Sequence, residues 1–600
     1  MTLIAQIKTA TEAALKSLFP DTDFPENIVT VNQTKPEFTG DYTVVLFSMV
    51  KILRKKPDEI GTLLGQQLLQ DNSDLFASYD IVSGFLNLNI QDKFWASFLL
   101  NHFNDPHFGE KPKKDRRVMV EYSSPNTNKP LHFGHMRNIF LGYAVSEILK
   151  ATGNQVIKAN LINDRGIHIC KSMIAWMDYA EDATPESTGI KGDHLVGDYY
   201  VLFNEVYKQQ IKEQVAAGKD EKQAEKEAPI MLAAQELLRK WEAGDTDTRN
   251  LWKQMNVWVY KGFNVTYKKM GIDFDKFYYE SQTYLLGKSI IEEGLQKHVL
   301  FKKEDGSVWI DLTEDGLDQK LLLRGDGTSV YITQDLGTAK LKYDEYKLDQ
   351  SIYVIGDEQN YHMQVLKLIM QKLKEPSAPG IHHLSYGMVE LPSGKMKSRE
   401  GTVVDADDMI AEMVSLARTQ TEEAGKTDGF SQDELQALYE MIGLGALKFY
   451  LLRVDPKKKM IFNPKESIDL HGYTATFIQY AHARICSILR KEGYEKMPKN
   501  IRFQTFQLTE ALLPAEKKLA VMIEQYCSIV DDAARELNPG TICNYSFQLA
   551  QLFNSFYDQH SISHAENTEK KHLRLMLIIM TASILRHSMR LLGISLPEKM

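Results

Sequence analysis

The sequence predicts a multidomain protein built on an α/β fold, in which a doubly wound parallel sheet lies between an α+β N-terminal domain and an all-α C-terminal bundle. Two observations predict this arrangement. Between residues 115 and 460, short apolar segments alternate with helical patterns, which is typical of strand–helix–strand units. From residue 461 onward, apolar residues recur only at helical spacing. The length of 600 residues also requires several domains, because a single core rarely grows beyond about 250–300 residues.

The amino-acid composition excludes several classes of protein. The chain is 43% hydrophobic and 25% charged, so it can bury large cores. Its formal net charge of -9 excludes a general nucleic-acid coat, and any RNA contact must come from local basic surfaces. The four cysteines lie far apart and form no CxxC pair, so neither a metal site nor a disulfide framework is expected. This cysteine usage favours a cytoplasmic location.

The first section, residues 1–114, mixes helices with strand-like segments. Apolar residues at helical spacing predict an amphipathic helix over residues 1–19 rather than a signal segment. Residues 82–90 alternate between apolar and polar types, which predicts a strand. The most apolar late stretch, residues 575–585, is shorter than the roughly 20 residues that a membrane helix needs. No membrane association is therefore expected.

The middle section, residues 115–460, carries the predicted parallel sheet. Its predicted strands lie at residues 118–122, 156–162, 329–333, 351–355 and 384–390. The first predicted helix lies between the first two strands, at residues 136–150. Residues from about 180 to 270 are helical and heavily charged, which indicates an insertion within this fold.

The last section, residues 461–600, is predicted to be a helical bundle. Helical periodicity is clearest over residues 473–490, 512–537 and 572–592. The last of these stretches ends at Gly593, a residue type that commonly follows the end of a helix.

The strongest chemical signal is the string EYSSPNTNKPLHFGHMRN at residues 121–138. It places a polar, proline-containing loop between a predicted buried strand and a predicted helix, where α/β sheets bind ligands. His132 and His135 flank a small residue, Gly134, so both rings can reach one face and a nucleotide has room to approach. Two histidines can donate hydrogen bonds to phosphoryl oxygens during displacement at phosphorus. A lone HxGH motif is a weak signal, but its place at a strand–helix junction strengthens it.

These residues resemble a known enzyme family. The string HFGH at residues 132–135 resembles the HIGH signature of class I aminoacyl-tRNA synthetases, and the longer string resembles the arginyl-tRNA synthetase family in particular. A second string, GKMKSREG at residues 394–401, resembles the KMSKS loop. Ser398 stands where that loop usually has its second lysine. Arginyl enzymes commonly lack this lysine, and in them a lysine just before HIGH is thought to compensate; Lys129 occupies that place.

The resemblance extends over nearly the whole chain. Further matching strings are NLINDRG at residues 160–166, HLVGDYY at 194–200, YITQDLG at 331–337, IGDEQNYH at 355–362, QYAHARI at 479–485 and RLLGISLPEKM at 590–600. It implies a Rossmann-type catalytic domain at 115–460, an N-terminal domain at 1–114 that binds the tRNA elbow, and an anticodon-binding domain at 461–600.

The resemblance also implies the reaction. The family activates L-arginine with ATP to arginyl-adenylate plus pyrophosphate, and then transfers arginine to the 3'-terminal ribose of the tRNA for arginine. Magnesium is expected to arrive with ATP, and the protein is expected to be a monomer.

For arginine, the resemblance implies a site that suits a planar, permanently charged guanidinium. Glu121 and Asp335 would supply carboxylates, and Tyr331 would pack on the substrate stem. The α-amino group would be held by Ser124, Asn126 and Gln359. An alternative for Glu121 is a structural ion pair with a nearby base.

For ATP and tRNA, the resemblance implies the following residues. The ATP-binding set is His132, Gly134, His135, Asn138, Lys395, Met396 and Ser398. The catalytic set is Lys129, His132, His135, Lys395 and Arg399. Candidates for tRNA contacts are Phe85, Asn87, Tyr480, Tyr557 and Met600.

Other functions remain open at this stage. A cysteinyl enzyme would need a zinc-binding Cys/His set, and a glutamyl enzyme would need basic groups where Glu121 and Asp335 stand. A cytidylyltransferase can share HxGH but has no reason to carry the helical section. The main alternative is a catalytically inactive tRNA-binding relative of a synthetase, which the intact His132, His135 and Lys395 disfavour.

Overall fold

The N-terminal section forms an antiparallel sheet covered by helices. The computed structural model of the protein describes residues 2–35, 37–392, 404–425, 427–494 and 508–600. The strands follow the order Thr30–Gln33, Tyr42–Val45, Phe85–Ile90 and Phe76–Val82 across this sheet. The helices are Leu3–Leu18, Phe47–Leu53, Pro57–Asp71 and Asp92–His102. The strand predicted at residues 82–90 is thus the end of one strand, a turn at Ser83–Gly84 and a second strand.

The central sheet has five parallel strands within the described residues. Their order is Ile381–Tyr386, Gln350–Gly356, Arg117–Glu121, Gln155–Ile162 and Lys276–Tyr279. The strand order reverses on the two sides of Arg117–Glu121, so the predicted doubly wound fold is confirmed. Ligands bind outside the carboxyl ends of strands at such a reversal. Glu121, the last residue of its strand, lies there between Ala159 and Tyr353 of the neighbouring strands.

The strand predicted at residues 329–333 is wrong, because Tyr331–Tyr346 is an α-helix. The run of aromatic and β-branched residues favours a strand locally. Burial of Ile332, Leu336 and Ala339 at helical spacing outweighs that preference. Tyr331 and Asp335 consequently lie in the first turns of a helix, and not at the end of a strand.

The rest of the middle section consists of helices and short strands around the sheet. Helices that pack on or near it are Phe133–Ala151, Ile167–Tyr179, Glu280–Thr283, Gly287–Gln296, Asn360–Lys372, Ala406–Glu423, Gln432–Leu452 and Pro464–Ser467. The helical insertion comprises Pro185–Thr188, Gly192–Ala216, Glu221–Glu227, Pro229–Ala243 and Thr246–Met270. Short strands are Leu300–Lys302, Val308–Ile310, Lys320–Leu323, Val389–Glu390 and Met460–Ile461, and 3-10 turns are Thr313–Asp315, Asp357–Gln359 and Ala378–Gly380.

The C-terminal section is helical, as predicted. Its helices are Ala475–Lys491, Pro514–Glu524, Tyr526–Glu536, Pro539–Gln559 and Thr568–Leu591. The helix predicted over residues 512–537 is therefore two helices that meet at Gln525. Among the described helices, none is both long and apolar enough to cross a membrane.

Lys448 contacts both the helical insertion and the C-terminal section from its own helix, Gln432–Leu452. Its Nζ donates to the carbonyl of Gly593, just beyond the last helix, and lies beside Gly271, which ends the insertion helix Thr246–Met270. Both glycines have positive φ values, 69° and 64°, which is common where a helix ends. Burial lowers the pKa of Lys448 to about 8. Its charge thus lies beside the C-terminal ends of two helices, which is where helix dipoles favour a cation.

Candidate active site

The loop after Arg117–Glu121 has an unusual backbone conformation. Ser123 and Ser124 adopt positive φ values of 76° and 43°, and the following residues pair again with Asn163, just beyond the neighbouring strand. The Ser124 amide donates to Asn160 Oδ1 at 3.1 Å, and the Ser123 hydroxyl lies 2.6 Å from the hydroxyl of Tyr267 in the insertion. This loop therefore rests on the neighbouring strand and on the insertion. Asn126, one turn further, is exposed.

Asn138 joins the two strands that flank the reversal point. Its Oδ1 accepts from the Ser123 amide at 2.5 Å, and its Nδ2 donates to the carbonyl of Val354 at 2.6 Å. The side chain is buried, and both ends of its amide are engaged. Its placement indicates that it positions the loop, and the predicted direct contact with ATP stays a prediction.

His132 and His135 stack against each other at the start of the helix Phe133–Ala151. Their ring centroids lie 3.7 Å apart, and the His132 amide donates to His135 Nδ1 at 3.1 Å. Burial lowers the pKa of His132 to about 3, helped by the charge of Lys129 and opposed by Asp405. Burial likewise lowers the pKa of His135 well below its ordinary value. Both rings are neutral at neutral pH, and the His135 tautomer that accepts at Nδ1 carries its proton on Nε2.

Gly134 makes room for the His132 ring. A Cβ added at Gly134 would lie 3.1 Å from Cε1 and Nδ1 of His132. The sequence suggests that this glycine leaves space for a nucleotide. In the structure, the absence of a side chain at Gly134 also leaves space for the His132 ring. Lys129 lies close enough to both histidines to lower their pKa values. Lys395, Met396, Ser398 and Arg399 lie outside the described residues.

Glu121 forms a buried ion pair with Lys342. Its Oε2 lies 2.5 Å from Lys342 Nζ, and the two side chains are 8% and 2% exposed. Burial opposes the charge of Lys342, but Glu121 and the neighbouring Tyr353 raise its pKa above the ordinary value. The alternative of a structural ion pair for Glu121 thus has a specific partner.

Asp335 lies on the same helix as Lys342, two turns earlier. Its Oδ2 is 2.6 Å from His362 Nε2, and this hydrogen bond raises the pKa of His362 although burial opposes it. Tyr331, one turn before Asp335, is 77% exposed. Gln359 lies in a 3-10 turn at the carboxyl end of the adjacent strand and is also exposed. The predicted arginine-binding residues therefore gather at one edge of the sheet.

Glu280 is a further carboxylate at this edge that the sequence analysis missed. It follows directly after the edge strand Lys276–Tyr279. Burial is the main cause that raises its pKa to about 7; Arg165 opposes the shift, and the nearby Asp164 and Asp335 add to it. Within the described residues, it forms no ion pair. The signal that could have found it is a Glu-Ser pair after an aromatic strand, but that strand was not predicted.

Asp164 fixes the segment that carries Glu280. This buried carboxylate accepts from the Ser281 amide at 2.8 Å and from the Ser281 hydroxyl at 2.7 Å. It also accepts from Tyr260 of the insertion at 2.9 Å. Asp164 of the string at residues 160–166 therefore orients the segment that carries Glu280.

Three of the predicted tRNA-binding residues lie in the C-terminal section, two on helices and one at Met600. Arg484 lies over the rings of Tyr480 and Tyr557, at 5.0 and 5.9 Å from their centroids. Tyr480 and Met600 line one small, mostly apolar pocket. This surface combines aromatic faces with an arginine, as sites for unstacked bases do.

The string QYAHARI at residues 479–485 holds the end of the chain. Gln479 donates to the carbonyl of Ser595 at 3.0 Å, and His482 Nδ1 lies 2.8 Å from the carbonyl of Pro597. Both side chains are buried. Their hydrogen bonds bring Met600 beside Tyr480.

The N-terminal candidates lie on the strand Phe85–Ile90. The Phe85 ring packs edge-on against Phe47 at 5.4 Å. Asn87 is 1% exposed, and its Oδ1 accepts from Thr43 at 2.6 Å. Its buried Nδ2 has no hydrogen-bond partner among the described residues. A contact between Asn87 and RNA requires this amide to be uncovered, and it stays a prediction.

Family models match three successive parts of the chain. The model for the class I tRNA synthetase (R) catalytic domain matches residues 98–463, the arginyl tRNA synthetase N-terminal domain matches 5–90, and the DALR anticodon binding domain matches 478–600. The catalytic model covers more than half of the chain and includes the paired histidines. The fold and the site define a class I tRNA synthetase.

Relatives and solved structures agree along the full length. The chain is 50% identical to an arginine–tRNA ligase of Parabacteroides distasonis, with 100% of both chains covered, and 48% identical to one of Amoebophilus asiaticus, with 99% of both covered. It is similar to the structure of Thermus thermophilus arginyl-tRNA synthetase, with a TM-score of 0.82, 25% identity and 100% of both chains covered. The chain belongs to the arginine–tRNA ligase family.

Proposed function

We propose that this site performs the arginylation of tRNA, in which ATP activates arginine and the activated arginine is then attached to its tRNA. The proposal rests on one observation. Neutral, stacked histidines and a group of carboxylates lie together at the carboxyl ends of the strands of the central sheet. The histidines suit phosphoryl oxygens, because neutral rings donate hydrogen bonds without needing a counter-ion. The carboxylates suit a guanidinium, which never loses its charge.

On the arginine side, Asp335 and Glu280 bind the guanidinium. Asp335 exchanges its hydrogen bond with His362 for one with the substrate, and Glu280 has no ion pair among the described residues to give up. Charge-assisted hydrogen bonds of this kind contribute roughly 1.5–3 kcal/mol each. Tyr331, exposed beside them, packs on the aliphatic stem.

Glu121 stays with Lys342 in this proposal. The pair keeps a negative group near the guanidinium without leaving a buried carboxylate uncompensated. The alternative, direct binding by Glu121, requires Lys342 to move away. Ser124, Asn126 and Gln359 hold the α-amino group, and their common position at the carboxyl edge supports that role.

On the ATP side, His132 and His135 donate to the phosphates, and Gly134 permits their packing. Asn138 positions the loop before them. Lys129 adds a positive charge next to both rings, which supports its role as a substitute for the missing loop lysine. Lys395, Met396, Ser398 and Arg399 complete the phosphate contacts by resemblance, and Mg²⁺ enters as part of the substrate MgATP.

The chemistry proceeds in two steps. A carboxylate oxygen of arginine attacks the α-phosphorus, the bond to the β-phosphate oxygen breaks, and pyrophosphate leaves with that electron pair. The terminal ribose hydroxyl of tRNA then attacks the arginyl carbonyl carbon, loses its proton, and AMP leaves. Positioning and charge stabilisation provide most of the acceleration in such a displacement.

The flanking domains bind the tRNA. Tyr480, Tyr557 and Met600 read anticodon bases, which is supported by their common surface around Arg484. Phe85 and Asn87 contact the tRNA elbow. The domains responsible are residues 1–114 for the elbow, 115–460 for catalysis and 461–600 for the anticodon.

The enzyme works as a cytoplasmic monomer. The four cysteines are free, and Cys170, Cys486 and Cys543 are buried, which suits a reducing compartment. Light scattering coupled to size-exclusion chromatography tests the monomer directly.

Charging of total tRNA with each amino acid in turn, with and without ATP, tests the function. Attachment of arginine alone, dependent on ATP, is the expected result. Binding of tRNA with no attachment of any amino acid would instead identify an inactive relative that has kept only the RNA-binding surfaces.

A further inference from the structure

A cluster of charged side chains lies where the helical insertion meets the ATP side of the site. We call it the insertion clamp; its members are Lys191, Asp193, His194, Lys269, Asp405 and Asp407. Lys191, Asp193 and His194 stand at the start of the insertion helix Gly192–Ala216. Asp405 and Asp407 stand at the start of Ala406–Glu423, which belongs to the catalytic domain.

The lysines of the clamp converge on Asp407. Lys191 Nζ contacts the Asp407 carboxylate, lies 3.1 Å from Asp193 Oδ2 and donates to Thr266 Oγ1 at 2.7 Å. Lys269 Nζ lies 3.2 Å from Asp407 Oδ1. Asp193 is fully buried, and Lys191 and Asp407 are mostly buried, so the contacts of Lys191 are largely shielded from water and from salt, whereas Lys269 is half exposed.

Within the clamp, His194 of the insertion lies next to Asp405 of the catalytic domain. Its Nε2 lies 3.1 Å from Asp405 Oδ2 and 3.7 Å from Asp407 Oδ2. The nearby Asp405 carboxylate is the main cause that raises the pKa of His194; burial opposes the shift, and the charge of Asp193 adds to it. Three carboxylates face two lysines in the clamp, so a protonated His194 makes the cluster neutral.

The backbone next to Asp405 is joined to the histidine motif. The Phe133 amide donates to the carbonyl of Val404 at 2.9 Å, and the Ala406 amide donates to the carbonyl of Leu131 at 3.0 Å. These two hydrogen bonds place Asp405 directly opposite His132. A shift of Asp405 would therefore move the segment on which His132 lies.

The clamp is an ion-pair cluster and not a metal site. His194, Asp405 and Asp407 could offer ligand atoms within 4.8 Å of one another. However, Lys191 already contacts Asp407 and supplies the positive charge that a cation would bring.

We propose that His194 and Lys191 are positioning residues for the ATP half of the reaction, because they hold Asp405 and Asp407 and thereby fix His132 from the side of the insertion. The inference rests on the proposed role of His132 and His135 in binding ATP. The insertion thereby takes part in the activation of arginine by ATP.

Pyrophosphate exchange with saturating arginine and tRNA tests this role in the full-length protein. His194→Gln is expected to raise KM for ATP by roughly tenfold, since small displacements of catalytic groups have large effects on rate, while KM for arginine stays unchanged. His194→Lys restores a cation and is expected to recover most of the loss. Lys219→Gln breaks the exposed ion pair with Glu227 in the same insertion and serves as the matched control.

The pH dependence separates positioning from simple structural support. The groups that face His194 are Lys191, Asp193, Asp198, Asp405 and Asp407. Loss of the His194 proton leaves the clamp with excess negative charge, so KM for ATP in the wild type should rise as pH increases past the ordinary histidine pKa of about 6.5. In His194→Lys that rise should be absent, and the ratio of the two proteins removes the titration of ATP itself.

An unchanged KM for ATP in His194→Gln would overturn the inference, and so would equal losses for ATP and arginine together with a lower melting temperature. Lys191→Met tests the second residue in the same assay, with the same expected direction. If His132→Asn leaves ATP kinetics unchanged, the proposed ATP site itself is wrong, which is a different failure from that of the clamp.

Discussion

The ATP half and the arginine half of the site are assembled in different ways. The histidines, Lys129 and Asn138 come from one stretch of ten residues, 129–138. The arginine half draws on four separate stretches, around residues 121–126, 280, 331–342 and 359–362. Among the described residues, the ATP half carries one charged group, Lys129, whereas the arginine half combines carboxylates with Lys342 and His362. The histidine motif is thus local in the sequence, but a pocket for a cation requires charges from distant parts of the chain.

The largest effect on stability is expected from breaking the buried ion pair between Glu121 and Lys342. Lys342→Met leaves Glu121 buried without a partner, which costs about 3–5 kcal/mol and should lower the melting temperature measured by differential scanning calorimetry. Lys347→Met, just beyond the end of the same helix and in an exposed pair with Asp344, is the control. Adding Glu121→Gln to Lys342→Met should recover much of the loss. A recovery of stability without recovery of arginine binding would show that Glu121 also contacts the substrate.

On the ATP side, His132→Asn should lower kcat for pyrophosphate exchange by about 10²–10³-fold, as the loss of one preorganised donor does in comparable sites. KM for arginine should not change, because the two halves use different residues. His298→Asn, at an exposed turn, is the control. A parallel rise in KM for arginine would mean that the two halves are not separable.

Asp335→Asn should weaken the binding of arginine by about 1.5–3 kcal/mol. This loss should appear as a rise in KM for arginine of roughly 10- to 150-fold. KM for ATP should be unaffected. Asp344→Asn on the outer face of the same helix provides the control. If the two variants behave alike, Asp335 is not a substrate ligand.

The smallest effect is a pH dependence specific to the arginine half. The pKa of Glu280 is about 7, above the ordinary value for a glutamate, so the group gains its charge only as pH rises through 7. His362, whose pKa is raised by its hydrogen bond with Asp335, competes with the substrate for Asp335 as long as it stays protonated. KM for arginine should therefore fall as pH rises from about 6 to 8, and Glu280→Gln should reduce this slope. An exposed control is Glu292→Gln, and an unaltered slope in Glu280→Gln would exclude Glu280 from the pocket.

The same contrast explains what the sequence could and could not predict. The doubly wound sheet was predictable because strands such as 118–122 and 156–162 are apolar and alternate with helices. The paired histidines were predictable because their contact is local. Tyr331–Tyr346 was predicted as a strand in its first residues, because a β-branched run gave the wrong local signal and burial decided the outcome. The partners Lys342, His362 and Glu280 were not predictable, since their proximity depends on strand order and helix packing.

Lys448 has a consequence for how this enzyme can be recombined with its relatives. The insertion helix, the helix that carries Lys448 and the final helix converge on a single ammonium, which donates to the carbonyl of Gly593 and pairs with no carboxylate among the described residues. A chimaera that exchanged only the anticodon-binding segment would have to reproduce the backbone turn at Gly593 as well as its surface. The segments of this protein therefore cannot be exchanged independently. A chimaera should take Lys448, Gly271 and Gly593 from the same parent.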